Sequence, residues 1–116
     1  MNLNGRWKLY YYEYGKENII TPDELSNSVI PSIEATVPGN VELDLSVAGI
    51  LPKDLFLGHN IIETEKFEKY EWWYERDFIP QKPEIDENVI MHFSGVDCFA
   101  EYFLNEKKIG DSHNMF

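Results

Sequence analysis

The chain has 116 residues, enough for one domain with a core of its own, and its 43% hydrophobic and 15% aromatic content argues against a disordered tail. A formal net charge of −11 disfavours nucleic acid and anionic membranes as partners, because both attract proteins through clustered Lys and Arg. A neutral ligand such as a sugar, or another protein, fits this charge.

The compartment follows from the cysteine content and from the N-terminus. Cys98 is the single cysteine of the sequence, so an intrachain disulfide cannot form. The first residues, MNLNGRWKLYYYEYG, lack the basic region and the apolar run of a signal peptide. No apolar run reaches the roughly 20 residues of a membrane helix. We therefore expect a cytoplasmic protein that does not bind membranes or nucleic acid.

The first half of the chain predicts short strands with one short helix. Residues 7–14 form the first predicted strand, with Trp7, Leu9 and Tyr11 on one face and Lys8, Tyr10 and Tyr12 on the other. The following polar segment, 15–28, is a predicted loop with one helical turn capped by Thr21. Residues 33–37 form the second strand, and VPGN predicts a type II turn with a positive φ at Gly39.

Residues 41–48 show helical spacing of Val41, Leu45 and Ala48, with Leu43 and Val47 beside them. Gly49 predicts the end of this helix. An irregular loop, 51–60, then leads to KYEWWYERDF, residues 69–78. Alternation in this predicted strand divides it into a core stripe of Trp72, Tyr74 and Phe78, which shares its face with Arg76, and an outer stripe of Trp73, Glu75 and Asp77.

The second half predicts strands at 88–94 and 98–104, a turn with Asn105 in the left-handed conformation, and a return strand that begins at Ile109. Many short strands with little helix indicate an all-β sandwich. Because the sequence stops soon after the return strand begins, we expect a C-terminally truncated sandwich with an open sheet edge.

The residues that could carry chemistry do not define a catalytic or metal site. With 21 Asp and Glu residues, some pair always suits a glycosidase, so no catalytic residue is assigned. His59, His92 and His113 lack metal-ligand spacing, and neither a metal nor a cofactor is expected. Cys98 is predicted to be a packed thiol. Each aromatic residue is better explained as core than as a sugar platform.

Several spaced segments carry a family resemblance: LNGRW (3–7), ATVPGNVELDLSVAGILP (35–52), the strand with Trp72, Tyr74 and Phe78, FSGVDCFAEYFLNEKKIG (93–110) and the final HNMF. In this order they resemble the N-terminal sugar-binding domain of family 2 glycoside hydrolases, above all the β-mannosidase-like branch. The resemblance implies a galactose-binding-like jelly-roll β-sandwich, followed by an immunoglobulin-like domain and a (β/α)8 barrel that carries both catalytic glutamates. Glu106 departs from the family, which usually has Gly there.

The resemblance also implies a function. No segment here matches the barrel, so residues 1–116 would form a partial, non-catalytic N-terminal domain of a larger retaining hydrolase of β-mannosides or β-galactosides. It would pack against the barrel and help to wall the sugar pocket. In relatives, a polar side chain just before the WxYxxxF strand can reach the sugar, and this implicates Glu71. Trp73, as the outward ring, and Asn60, a weaker candidate, complete the predicted substrate-binding residues.

Two other functions stay open at this point: a free-standing carbohydrate-binding module, and a purely structural sandwich that contacts only protein. The reading frame beyond residue 116 separates the hydrolase from the module. Within residues 98–104, Phe99 and Phe103 face away from Ala100, Tyr102 and Leu104. If the latter face is the core, two phenylalanines look outward, and we expect self-association through them or through the open edge. A clean monomer in light scattering at high concentration would contradict this expectation.

Overall fold

The computed structural model describes residues 1–54, 58 and 60–114, and leaves out the side chains of residues 61 and 114. It divides into two compact units, Met1–Asn18 with Val29–Ile79 and Ile19–Ser28 with Pro80–Phe116. The elements are β1 (Gly5–Glu13), α1 (Pro22–Ser26), β2 (Ser32–Val37), α2 (Val41–Val47), a 3₁₀ helix (Asn60–Phe67), β3 (Tyr70–Glu75), β4 (Cys98–Leu104) and β5 (Lys107–Asn114).

The first unit is built on a three-stranded antiparallel sheet in the order β2-β1-β3. In its register, Leu9 of β1 lies opposite Ile33 on β2 and Tyr74 on β3. Aromatic residues dominate β1 and β3, and such side chains suit a pleated surface that is covered by neighbours. Leu9 is fully buried on the face that it was predicted to share with Trp7 and Tyr11.

A small hydrophobic core lies on the Leu9 face of the sheet. Leu45 of α2 and Leu51 form its centre, with 0% and 4% of their surfaces exposed. The partly buried side chains packed against these two leucines are Tyr11, Ile33, Phe67 and Trp72. Burial of one leucine side chain contributes about 1.5–3 kcal/mol, so the two leucines hold α2 to the sheet.

Both ends of α2 are closed by hydrogen bonds. Asn40 Oδ1 accepts from the N–H of Leu43 at 2.9 Å, which satisfies one free donor of the first turn. At the other end Gly49 has φ +81°, its N–H donates to the Ser46 carbonyl at 3.0 Å, and the N–H of Ile50 donates to the Leu45 carbonyl at 2.9 Å. These bonds form a Schellman motif, so the predicted end of the helix is confirmed.

The buried side of α2 holds Leu45 of the predicted helical stripe together with two polar residues. Leu43 and Val47 are 57% and 87% exposed, whereas Asp44 and Ser46 are buried. The reason lies in the polar contacts of the two buried residues. Asp44 Oδ1 accepts from the N–H of Thr36 at 3.0 Å, and Ser46 Oγ donates to the Pro52 carbonyl at 2.8 Å.

The turn before α2 also departs from the prediction. Gly39 lacks the positive φ that a type II turn requires, and the Val37–Pro38 peptide bond is cis. A Cβ atom at Gly39 would instead collide with the carbonyl oxygen of Thr36. Glycine is needed here because two backbone segments approach closely, and the predicted type II turn is wrong.

The second unit contains α1 and the antiparallel β4–β5 hairpin. Thr21 precedes α1 as predicted, but its side chain does not cap the helix. Its hydroxyl donates to Glu24 Oε1 at 3.1 Å, and Glu24 Oε2 accepts from the N–H of Ile20, which lies before the helix, at 3.2 Å. In the hairpin Leu104 pairs with Lys107 across a two-residue turn. Asn105 and Glu106 have φ of 49° and 71°, so the turn is type I′ and the prediction for Asn105 is confirmed.

The strand predicted at 88–94 is wrong, because those residues adopt no regular structure. Val89 and Ile90 are 71% and 84% exposed. A strand needs a hydrogen-bonded neighbour, and within the part of this unit that the structure describes β4 and β5 pair with each other alone. Residues 88–94 alternate in the sequence as a strand does, but alternation does not show whether a neighbouring strand is there to pair with them.

The hairpin itself has no buried face. Cys98 is exposed, so the prediction of a packed thiol is wrong. Phe99 is 70% exposed, as predicted, whereas Phe103 is partly buried. The helical turn predicted after Thr21 and the predicted short helix are present as α1 and α2, whereas the 3₁₀ helix Asn60–Phe67 was not predicted. The all-β class is confirmed, with antiparallel strands in two separate sheets rather than a closed barrel among the described residues.

Candidate functional site

Two of the predicted substrate-binding residues, Glu71 and Trp73, lie on β3 on the sheet face opposite Leu9. Their cross-strand partners in β1 are Tyr12 and Tyr10, respectively. In an antiparallel pair such partners share one face and stand about 4.5–5.5 Å apart at Cβ. The register therefore brings both predicted residues next to two tyrosines of the central strand.

The Tyr12 hydroxyl is the centre of this group. Tyr12 is 7% exposed, and Trp73 Nε1 donates to its hydroxyl at 2.9 Å. The pKa of Tyr12 is raised to about 12, mainly by burial; the bond from Trp73 lowers the pKa, and the nearby Glu71 carboxylate raises it. We call Tyr12, Glu71 and Trp73 the Tyr12 cluster.

The Tyr12 cluster is suited to binding. A phenol with a pKa of about 12 keeps its proton at neutral pH, so Tyr12 is neutral beside Glu71 and does not act as a general base. The Glu71 carboxylate can accept more than one hydrogen bond, and Trp73 adds a partly buried indole ring beside it. A carboxylate next to an aromatic ring can take a sugar hydroxyl and the apolar part of the same sugar.

Asn60, the third predicted residue, stands apart from the Tyr12 cluster. It begins the 3₁₀ helix, and its Nδ2 donates to the carbonyl of Asp54 at 2.7 Å. The Asn60 amide is thus bonded to the loop that precedes the 3₁₀ helix.

The sequence alone gave Tyr12 no role and placed it on the strand face opposite Trp7, Leu9 and Tyr11. Alternation assigned its face correctly, but only the register shows that it stands opposite Glu71. Trp73 lies on the face predicted for it, yet it is partly buried and bonded to Tyr12 rather than turned outward.

The predicted core stripe of β3 is only partly correct. Trp72 packs against the Leu45–Leu51 core, but Tyr74 is 39% exposed. Burial, followed by the charges of Asp44 and Glu42, raises the pKa of Tyr74 to about 12. Tyr74 therefore lies at the acidic margin of the core, near the first turns of α2, and not within it.

Arg76, predicted on the same face as the core stripe, contacts the N-terminal segment. Its Nη1 donates to the carbonyls of Leu3 and Asn4, both at 2.7 Å. Trp7 Nε1 donates to the same Leu3 carbonyl at 2.7 Å. Two side chains thus fix the chain that enters β1.

The remaining sequence candidates do not form a site among the described residues. His92 and His113 are exposed, and His59 lies outside the described residues. Within residues 1–54, 58 and 60–114, no three His, Cys, Asp or Glu side chains are grouped so that they could hold a metal ion. The helices that these residues form are too short or too polar to cross a membrane.

Comparison with known proteins identifies the class. Residues 15–116 match the family model described as the glycosyl hydrolase 2 galactose-binding domain-like domain. This match covers most of the chain, so the chain belongs to that family, and the resemblance seen in the sequence is confirmed. The antiparallel all-β architecture agrees with a galactose-binding-like domain.

The similar curated proteins are β-mannosidases. The chain is 38% identical over 80 residues to β-mannosidase B of Thermothelomyces thermophilus, covering 68% of this chain and 9% of the relative. It is 32% identical over 93 residues to β-mannosidase A of Emericella nidulans, covering 79% and 10%, respectively. A probable β-mannosidase of Caenorhabditis elegans is 31% identical over 83 residues, covering 70% and 9%. The chain spans about a tenth of the length of these relatives, and no solved structure matches it significantly.

Proposed function

We propose that this chain is the non-catalytic N-terminal domain of a cytoplasmic glycoside hydrolase that acts on β-mannosides or β-galactosides. The observation that carries the proposal is the family match over residues 15–116 together with the similarity to β-mannosidases. Since the named relatives are β-mannosidases, β-mannosides are the first substrates to test. The partners are the remaining domains of the parent hydrolase and the carbohydrate substrate.

The physical role would be to pack against the catalytic barrel and to wall the sugar pocket with the Tyr12 cluster. The bond from Trp73 Nε1 to the Tyr12 hydroxyl holds the Trp73 ring in place beside Glu71 before any ligand arrives. Such preorganisation lowers the entropic cost of binding. Glu71 would accept a hydrogen bond from a sugar hydroxyl, and Trp73 would contact an apolar part of the ring.

The catalytic step itself is assigned to the parent enzyme. A retaining hydrolase needs two carboxyl groups about 5–5.5 Å apart, one as nucleophile and one as acid and base. The neutral Tyr12 phenol serves neither role at neutral pH, so the cluster would affect sugar binding and leave bond cleavage to the other domains.

The test compares hydrolysis of nitrophenyl β-mannoside and nitrophenyl β-galactoside by two proteins: the 116-residue chain, and the longest product of its reading frame. We expect no activity from the chain alone and enzyme-like activity from the longer product. Hydrolysis by the chain alone, or an inactive longer product, would contradict the proposal. An inactive product that still binds sugar would favour a carbohydrate-binding module.

The role of Glu71 is tested in the longer product by Glu71→Gln. Loss of a charge-assisted hydrogen bond to the sugar should raise KM about 10-fold. Glu75→Gln, on the same face of the same strand, is the matched control and should leave KM unchanged. Equal effects of the two substitutions would show that Glu71 has no special place in the pocket.

A further inference from the structure

The outward side of α2 carries apolar side chains. Leu43 and Val47 each lie two residues from Leu45, so both stand about 160° around the helix axis from the leucine that holds α2 to the core. They are one turn apart and are therefore neighbours on the helix surface. Both are largely exposed, and Ile50, which follows in the Schellman motif, is 37% exposed. We call Leu43, Val47 and Ile50 the α2 stripe.

The residues around the α2 stripe are acidic. Residues 41–52 contain Glu42 and Asp44 but no lysine or arginine. Neither carboxylate forms an ion pair with a described residue. Their charges also act on Tyr74, whose pKa is raised first by burial and then by Asp44 and Glu42. A partner that covers the stripe therefore meets a negative potential and has to match it with positive charge.

We propose that the α2 stripe docks a second domain of the parent hydrolase, on a surface that presents apolar side chains and a lysine or arginine. The inference rests on the proposed function for the existence of further domains, since the chain spans about a tenth of the length of its relatives. Interfaces between domains combine an apolar centre with a polar and charged rim, and the stripe with Glu42 beside it has this composition.

This contact is separate from the one assigned to the Tyr12 cluster. Tyr12 and Trp73 lie on the sheet face opposite Leu9, whereas α2 packs over the Leu9 face and turns the stripe away from the sheet. A domain that meets the Tyr12 cluster therefore leaves the stripe open to another neighbour.

A second copy of this chain fits the α2 stripe less well. In a two-fold dimer the same surface is present on both sides of the contact. Glu42 of one copy would then approach its counterpart in the other, between two chains that each carry a net charge of −11. Like charges that face each other oppose association, whereas a lysine or arginine of another domain would offset the charge of Glu42.

The experiment measures how fast a thiol on the stripe reacts with a maleimide, in the 116-residue chain and in the longest product of its reading frame. Val47→Cys supplies the thiol, in a Cys98→Ser background that removes the exposed natural one. Its labelling, located by peptide mass spectrometry, should be about 10-fold slower in the longer product, because docking covers the stripe. Val29→Cys, at a fully exposed valine of the same unit, is the matched control and should react equally in both proteins.

The charge of the docked surface is tested in the longer product with Leu43→Cys as the labelled position. Val47→Lys should speed up this labelling about 10-fold, because its ammonium would repel the cation of the other domain. Val47→Glu should speed it up less. Both substitutions should leave KM for nitrophenyl β-mannoside unchanged, since the Tyr12 cluster lies on the other face of the sheet. Because Val47 is exposed, circular dichroism of the 116-residue chain should show no change of fold.

The outcomes separate this inference from the proposed function. Equal labelling of Val47→Cys in the two proteins overturns the docking surface, while hydrolysis of β-mannosides by the longer product would still support the proposed function. Slower labelling in an inactive longer product supports the docking surface and contradicts the hydrolase.

Other results identify a different occupant or none. Slow labelling in the 116-residue chain that becomes faster on dilution assigns the stripe to a second copy and overturns the proposal. A reading frame that ends at residue 116, equal slowing at Val29→Cys, or equal effects of Val47→Lys and Val47→Glu also overturn it. A KM that rises in Val47→Lys as much as in Glu71→Gln would mean that one domain meets both surfaces, and the proposal of a second contact would then be wrong.

Discussion

The β1–β2–β3 sheet and the β4–β5 hairpin have strands of similar amino-acid composition, but their side chains are buried to different degrees. Both contain aromatic strands in antiparallel pairs. Leu9 of the sheet and Leu45 of α2, which packs on the sheet, are fully buried, whereas Phe99 and Leu104 of the hairpin are 70% and 38% exposed. The difference is the second layer: α2 and the 3₁₀ helix cover one face of the sheet. Strand pairing is thus a local property, and a core requires another element to close over it.

The largest effect should come from removing the centre of that second layer. Leu45→Ala deletes a fully buried side chain that contacts Leu51 and the aromatic residues around it, and should lower the free energy of unfolding by about 2–5 kcal/mol. Urea denaturation followed by tryptophan fluorescence measures the loss. Leu104→Ala in the hairpin is the matched control and should cost less than about 1 kcal/mol. Equal costs would show that the hairpin carries as much of the core as the sheet.

Two tyrosine hydroxyls, one in the sheet and one in the hairpin, allow the two regions to be compared through single hydrogen bonds. Tyr12→Phe removes the hydroxyl that accepts from Trp73 Nε1, and this indole N–H then loses that hydrogen bond. We expect a loss of about 1–3 kcal/mol in the same urea experiment. Tyr102→Phe removes a hydroxyl paired with Ser112 Oγ at 2.8 Å in the hairpin and should cost about 0.5–1 kcal/mol. A larger loss in the hairpin would contradict the importance that we give to the Tyr12 cluster.

The same contrast explains how far the sequence could predict the structure. Local signals were sufficient where a residue acts on its own chain, as at Gly49, which ends α2, and at Asn105, which opens the hairpin turn. They failed where the outcome depends on a distant partner. The segment 88–94 has strand alternation without a neighbour, and Asp44 is buried because the N–H of Thr36 needs an acceptor.

The candidate site shows the same limit. Alternation separated Trp72 from Trp73 and placed each on its face, and the family resemblance directed attention to Glu71. The role of Tyr12 depends on the pairing Tyr12–Glu71, which joins residues almost sixty positions apart and is fixed by the whole sheet. Asn60 had the residue type of a ligand-binding amide, but its contact with Asp54 is a property of the folded loop.

Asp44 gives a pH-dependent way to test the buried layer. Burial raises the pKa of this carboxyl, the hydrogen bond from Thr36 lowers it, and Oδ2 is buried without a hydrogen-bond partner among the described residues. Because the folded state holds the proton more tightly than the unfolded chain, this group's contribution to stability is present below its ordinary pKa of 3.8 and is lost as the pH rises through the raised value. Each unit of difference corresponds to about 1.4 kcal/mol.

Wild type should therefore gain stability relative to Asp44→Asn as the pH falls from 7 to 4, measured by urea midpoints at each pH. Asp111→Asn, at an exposed carboxylate of β5, is the control for the loss of one negative charge. A difference between wild type and Asp44→Asn that stays constant with pH would mean that burial does not disfavour the charged form of Asp44.

The smallest effect is expected at the hairpin turn, where local conformation rather than burial sets stability. Glu106 has φ 71°, a region that costs a residue with a Cβ about 1–2 kcal/mol, whereas glycine enters it freely but loses more backbone entropy on folding. The net gain for Glu106→Gly should be about 0.5–1 kcal/mol in the urea midpoint experiment. Asn105→Gly should gain less, because asparagine already tolerates the left-handed region. If Glu106→Gly lowers stability while Asn105→Gly raises it, the type I′ geometry of this turn would be wrong, and the hairpin would depend on side-chain contacts of Glu106 instead.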